Sequence, residues 1–284
     1  MSLQKQTIKR EITMNKKIAF FCLFSIHTLF YVATFNKAQA DIRGLPNITI
    51  LASSSLATPI TELSRKYSRL YNITVTASYN SSSEQAWRIE EGESADIFIS
   101  SHHHWMSSLK QMGLIDVYSL ANLVRNKLVL VSSTKGKLSE YPIIGNNVTE
   151  KLEYLNNRTI MSFGDPDNTS LGMYTKQALI NLGKITKTDL WTKLDSTTIK
   201  SASAKNNLYL ISHGETAGII YYSDAANNEE IRILSVIDES LHDPIVYQAA
   251  VVAGENMEHA REFLNFLQTQ ESKQIFKKHG FIID

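Results

Sequence analysis

Asn47-Ile48-Thr49-Ile50-Leu51-Ala52-Ser53-Ser54-Ser55-Leu56-Ala57-Thr58-Pro59 is followed, after one intervening segment, by Ile73-Thr74-Val75-Thr76-Ala77-Ser78-Tyr79-Asn80-Ser81-Ser82-Ser83-Glu84. Each stretch opens as a strand, ends in three serines and leads into a helical pattern. Between them, Leu56, Ile60, Leu63, Tyr67 and Leu70 recur at spacings of four and three, which is one face of a helix. Pro59 fits the first turn of that helix, where its missing N–H costs nothing. Residues 95–100 then read as a third strand and residues 104–112 as a helix. Strand followed by helix, three times over, is the pattern of a parallel α/β sheet.

Working outward, residues 128–132, 159–163 and 218–222 are short apolar runs that read as buried strands, residues 171–182 and 200–211 read as helices, and residues 255–278 form a long amphipathic helical region. No internal repeat, low-complexity tract or Gly/Pro-rich linker divides the chain. A chain that alternates throughout is either one wide sheet or two lobes joined by extended crossings, and the pattern leaves both open.

The N-terminus carries Lys16 and Lys17, a nearly uncharged apolar stretch over residues 18–35, and Ala38-Gln39-Ala40. Basic, apolar and small residues in that order predict an export signal, residues 1–40, cleaved near Ala40/Asp41. Met14 offers an alternative start. The only cysteine, Cys22, lies in this segment after Phe21, where a lipid-attachment signal needs a small residue. The 244 residues that remain are cysteine-free, which excludes disulfides, thiol catalysis and cysteine-based zinc sites and suits an oxidising compartment. Cleavage removes six Lys/Arg and one Glu, leaving 23 basic against 27 acidic residues and a formal charge of −4 in place of +1. Such a chain has no global attraction for nucleic acid or anionic lipid.

The serine turns are where chemistry is expected. At the turn from a strand into a helix, the unpaired N–H groups and adjacent hydroxyls can point at one spot, with the helix dipole adding positive potential. An anion is the natural guest. Taken singly, either cluster is an ordinary helix cap, and Ser81-x-x-Glu84 is a capping-box pattern that turns Glu84 back toward the Ser81 backbone. Two clusters at the carboxyl ends of successive strands, where open α/β sheets bind ligands, carry more weight.

At these residues the sequence resembles the periplasmic molybdate-binding proteins of ABC importers. The two serine turns resemble that family's first two strand ends. Ala95 to Ser100 with Trp105-Met106, Gly164-Asp165-Pro166 leading to Leu171-Gly172-Met173-Tyr174, Gly218 to Tyr221 with Ser223-Asp224-Ala225, and Ile275 to Phe281 follow in the family's order. The resemblance spans essentially the whole mature chain. It implies a two-lobed clamshell of the type II periplasmic-binding-protein kind, each lobe a mixed, mostly parallel sheet flanked by helices, with the cleft between them. Lobe I would comprise residues 41–122 and 246–284, and lobe II residues 123–245. It further implies a monomeric, non-enzymatic periplasmic protein that captures molybdate or tungstate and delivers it to a membrane ABC importer permease, with no resident cofactor and no protein–metal bond. Carried over, the oxyanion would be held by Ser55 and Ser82, the backbone N–H of Leu171, the backbone N–H near Ser203 with Ala204 next in line, and the Tyr221 hydroxyl. All are neutral donors, and a fully deprotonated tetrahedral dianion offers only acceptors. Sulfate differs from molybdate in radius rather than in the residues it needs.

Three rival readings remain at the level of sequence. His102-His103-His104 has metal-ligating side chains, but three consecutive residues do not converge easily on one ion, and a turn after a strand should face solvent. Tyr221-Tyr222 suggests the paired phenolates of ferric-iron carriers of the same fold, for which the serine turns would be poor ligands. An exported hydrolase would need a nucleophile elbow, a metal-ligand pair at helical spacing or a phosphate loop, and the chain has none of these.

Overall fold

The computed structural model describes residues 47–283 except 136, 141 and 215, so the expected export signal, its cleavage site, Cys22 and the alternative start at Met14 lie outside the described residues. The described chain forms two α/β lobes. In the first, β1 (Asn47–Ser53), α1 (Ala57–Tyr71), β2 (Thr74–Asn80), α2 (Ser82–Glu90), β3 (Ile97–Ser100), α3 (His103–Gln111) and β4 (Ala121–Arg125) follow one another. The second holds β5 (Leu128–Ser133), α4 (Lys137–Glu140), α5 (Val148–Asn156), β6 (Met161–Gly164), α6 (Ser170–Thr186), α7 (Leu190–Asp195), β7 (Thr198–Ser201), α8 (Ala204–His213), β8 (Ala217–Tyr221), α9 (Tyr222–Ala225) and β9 (Ile231–Val236). The chain then returns to the first lobe with β10 (Val246–Val251), α10 (Met257–Leu267) and α11 (Gln270–Lys278).

Each lobe has one five-stranded sheet, in the orders β2-β1-β3-β10-β4 and β7-β6-β8-β5-β9. In the first, β1 runs parallel to β2 and β3 while β10 is antiparallel to β3 and β4. In the second, β6 runs parallel to β7 and β8 while β5 is antiparallel to β8 and β9. Sheets covered by helices on both faces need strands without a polar face. Accordingly β3, β5, β6 and β8 are buried at every position.

The helix expected from Leu56, Ile60, Leu63 and Tyr67 starts at Ala57, with Leu56 in the 3-10 turn before it; all four are buried, but Leu70 is 59% exposed at the helix end. Tyr67 instead sets the packing of that face, meeting Phe263 edge-on at 4.9 Å and Phe266 at 5.1 Å. Each such aromatic pair contributes about 0.5–1.5 kcal/mol beyond its buried area. The single helical region expected over residues 255–278 is two helices, because Thr269 caps the second by accepting the Ser272 N–H at 3.3 Å. Lys200 and Ser201, expected to begin a helix, end β7, and the helix starts at Ala204.

The boundary expected between residues 122 and 123 cuts through β4, and the chain stays in the first sheet to Arg125. The lobes are joined by residues 126–127 and by the return over residues 237–245. These crossings bind each other where the Asn126 N–H donates to the Ile245 carbonyl at 3.0 Å. Asn126 is buried and fixes the junction: its amide donates to Ser223 Oγ at 2.9 Å and Tyr247 Oη at 3.3 Å, while its Oδ1 accepts the N–H of Lys127 at 2.9 Å.

Candidate functional site

Parallel pairing decides where the polar turns go. Ser53 lies opposite Asn80 and Ala52 opposite Ile99, so β1, β2 and β3 end level and their following turns share one edge. In the other lobe Gly164 lies opposite Ser201, which levels the starts of α6 and α8, and β8 ends beside them at Tyr221. Ligands in open α/β sheets bind outside such carboxyl ends. Here the two edges face each other.

Between them is a small, partly open cavity of about 10 Å³, lined by Ser53, Ser54, Ser81, Ser82 and Ser101 from the first lobe and Thr169, Ser170, Leu171, Ala204 and Tyr221 from the second. That is room for about one water-sized sphere, far below the roughly 300 Å³ at which pockets for organic ligands begin. A much larger groove runs along α1 past Arg65, Arg69 and Tyr79 and is open to solvent.

The first-lobe serines form one network. Ser82 Oγ accepts the Ser101 N–H at 3.0 Å and lies 3.1 Å from Ser101 Oγ, which in turn accepts from Ser53 Oγ at 3.1 Å. The second-lobe wall is built from helix starts. Thr169 Oγ1 caps α6 by accepting the Gly172 N–H at 3.0 Å, leaving the N–H groups of Ser170 and Leu171 in the unpaired first turn. Gly172 makes this wall possible, since a Cβ there would meet the Asp165 carbonyl oxygen at 2.3 Å. Ser203 caps α8 by accepting the Asn206 N–H at 3.2 Å.

Two cavity-lining hydroxyls, Ser170 Oγ and Tyr221 Oη, are buried and make no hydrogen bond. Native structures rarely leave such groups unsatisfied, because each costs about 1–3 kcal/mol. Burial first, then the neighbouring Tyr247 and Tyr174, raises the Tyr221 phenol well above its ordinary value, with the nearby Ser101 opposing. It is therefore a neutral donor. No Lys or Arg side chain lines the cavity. Close by, Asp224 Oδ2 is buried without a partner, and burial raises this carboxyl to about 7 against the pull of Lys205.

Of the residues expected at the site, Ser82, Leu171 and Tyr221 surround this cavity and Ser55 and Ser203 do not. The Ser55 hydroxyl turns away to Tyr247 Oη at 2.8 Å and Ser53 Oγ at 3.2 Å, because it follows the end of β1 inside a 3-10 turn. Ser54 and Ser53 take its place. Ser203 spends its hydroxyl on the cap, and Ala204 lines the cavity. Ser101 and Ser170 were not anticipated, although Ser101 repeats the logic of the first two turns at the end of the third strand. Glu84 lies outside the cavity lining, but the capping box is only half formed: Ser81 Oγ accepts the Glu84 N–H at 3.2 Å, while the Ser81 N–H donates to Asn80 Oδ1 at 2.8 Å.

Of the histidine run expected to face solvent, His103 and His104 are exposed, whereas His102 is 6% exposed and packed at the seam. Among the described residues no group of three His, Cys, Asp or Glu is placed to hold a metal ion. No helix among them is long and apolar enough to cross a membrane. The closed seam is pinned by bonds between lobes: Tyr174 Oη donates to the Ser101 carbonyl at 3.2 Å, the Lys205 N–H to Ser54 Oγ at 3.4 Å, and Ser83 Oγ to the Asn168 carbonyl.

The sequence matches the family of bacterial extracellular solute-binding proteins over residues 48–282. It is 29% identical over 237 residues to the molybdate-binding protein ModA of Escherichia coli (strain K12), covering 83% of this chain and 89% of that one. Among solved structures, the substrate-binding domain of a putative molybdenum ABC transporter from Clostridium difficile superposes with a TM-score of 0.62 at 26% identity, covering 84% of this chain and 99% of that one. The periplasmic molybdate-binding protein of Azotobacter vinelandii gives a TM-score of 0.69 at 16% identity over the same shares. The two-lobed α/β clamshell is thus the fold of this chain and of its structural neighbours.

Proposed function

From the premise that this chain belongs to the bacterial extracellular solute-binding proteins, we propose that it captures a fully deprotonated tetrahedral oxyanion, molybdate or tungstate, in the cavity between its lobes. It then presents the closed form to a membrane ABC importer. The observation that carries this reading is the pair of buried, unpartnered hydroxyls, Ser170 Oγ and Tyr221 Oη, facing one small cavity with two helix starts. Such a cavity is rich in donors and has neither a cation to neutralise nor a lining carboxylate to accept a proton. A dianion with four acceptor oxygens satisfies the donors, whereas a ligand that still carries a proton leaves that proton without a partner. The anion is cargo, and no resident cofactor, direct protein–metal bond or catalytic step is part of the proposal. The protein acts as an exported monomer, with residues 1–40 as its removable signal.

Donors contributed by both lobes meet only when the lobes close, so the ligand favours the closed population. Calorimetry with the four oxyanions is the direct test. Strong binding of molybdate and tungstate, weak binding of sulfate and little of phosphate is expected, and equal affinity for all four would remove the selectivity claim. A second comparison separates the observed site from the one read in the sequence. Ser82→Ala should weaken binding by about 10-fold, since it removes one hydroxyl at the cavity wall and the acceptor for the Ser101 N–H. Ser55→Ala should change affinity by less than about threefold, because that hydroxyl is committed to Tyr247. The reverse order would place the anion at Ser55 instead.

A further inference from the structure

The seam between the lobes holds a second cluster that oxyanion capture does not use. The His102 ring caps α3, its Nδ1 accepting the His104 N–H at 3.1 Å, and stacks on His103 at 4.6 Å. Its other neighbour is Tyr174 of α6, in the opposite lobe, at 4.7 Å between ring centroids. This is the same tyrosine whose hydroxyl bonds the Ser101 carbonyl across the seam. His242, on the returning crossing, meets Tyr174 edge-on at 5.9 Å, with its Nδ1 against the Asp243 carbonyl at 2.8 Å and its Nε2 buried without a partner.

We propose that His102 is a positioning residue that couples closure of the lobes to its own neutral state, so that protonation of this imidazole favours the open form and releases the anion. The geometry is specific. Because Nδ1 already accepts the His104 N–H, a proton on Nδ1 would set two hydrogens against each other and remove the cap of α3. The groups that face the ring are His103 and His104 on its own helix, Tyr174 on α6, and His242 and Asp243 on the crossing. Asp243 favours the cation, whereas burial above all, then His103 and His104, disfavours it and brings His102 down to about 4. Opening withdraws Tyr174 with its lobe and returns the ring to water, where an imidazole titrates near about 6.5.

The sign follows from that difference. Closure binds the neutral ring, so affinity is fully present above the open-state value, falls as pH drops from there, and levels off near the closed-state value of about 4. Between about pH 7.5 and about pH 5 this amounts to a roughly 30-fold loss of affinity. Asp224 works in the opposite sense: an anion nearby favours its protonated form, so its contribution to affinity grows as pH falls through about 7.

The inference rests on the oxyanion reading, and the test separates the two. Molybdate affinity is measured across this pH range for the wild type and for His102→Asn, whose amide can cap the helix but does not titrate. The ratio of the two affinities at each pH cancels both Asp224 and protonation of the ligand itself. The two proteins should agree within about threefold near pH 7.5, and the wild type should lose roughly 30-fold more by about pH 5. No binding by the wild type at any pH would sink the oxyanion reading, whereas parallel profiles would overturn the histidine coupling alone. Should the variant fail to fold, NMR titration of the histidines in the wild type decides: the His102 midpoint should drop by about two pH units on adding molybdate, and an unchanged midpoint overturns the proposal.

Discussion

Tyr221→Phe should weaken molybdate binding by about 10- to 100-fold while leaving the ligand-free protein as stable as the wild type, or more stable by up to about 1 kcal/mol. The two effects have one cause. The Tyr221 ring is 1% exposed and packs against Tyr247 with centroids 6.1 Å apart, so phenylalanine fills the same space. What it removes is a hydroxyl that has no partner inside the protein. In the empty cavity that hydroxyl contributes a desolvation cost, and its loss is neutral or favourable. With a dianion bound it is a hydrogen bond to a charged acceptor, contributing about 1.5–3 kcal/mol. Calorimetry and thermal unfolding of the same two proteins check both halves. Unchanged affinity, or a large loss of stability without ligand, would show that Tyr221 serves packing and not capture.

Gly172→Ala should destabilise the protein by about 3 kcal/mol, a fall of roughly 6–12 °C in melting temperature, and should weaken oxyanion binding with it. A methyl group here would lie 2.3 Å from the Asp165 carbonyl oxygen and 2.5 Å from that of Gly164, both backbone atoms that no side-chain rotation can clear. The start of α6 must therefore shift, and the Leu171 N–H, one residue away, shifts with it. Gly254→Ala is the control, since its added carbon meets nothing within 4 Å. Wild-type melting temperature and affinity in the Gly172 variant would show that the helix start is not held by this contact.

The His102 proposal and the two substitutions probe different parts of one closed seam. Tyr221 reports on the donors, Gly172 on the backbone that aims them, and His102 on the equilibrium that brings the lobes together. A protein whose ligand is gripped from both sides must gain enough from those contacts to order the seam. Bonds across the seam, such as Tyr174 to Ser101, add to what those contacts supply.

Much of the fold was legible along the chain because its signals are local. The apolar runs of β1, β5, β6 and β8 and the 3.6-residue period of α1 depend only on neighbouring residues and on the need to bury one face. The serine turns announced donors at strand ends for the same reason, and the family resemblance placed them in a two-lobed clamshell. Other features are set by contacts distant in sequence. Whether Ser55 or Ser54 faces the cavity depends on the 3-10 turn and on Tyr247, 192 positions away. Ser203 and Ala204 exchange roles because the cap takes the hydroxyl of the first and leaves the second at the wall. The crossing lies at residue 126 and not at 122 because β10, late in the chain, pairs with β4 through Arg125. His102 looked exposed because a turn after a strand normally is, and it became buried only when α6 of the other lobe brought Tyr174 against it. The sequence by itself therefore determined the chemistry on offer, neutral hydroxyl and N–H donors at strand ends, since residue type and period are local properties. Only the tertiary structure decided which of those donors meet, because the cavity exists where two sheet edges from separate lobes come together.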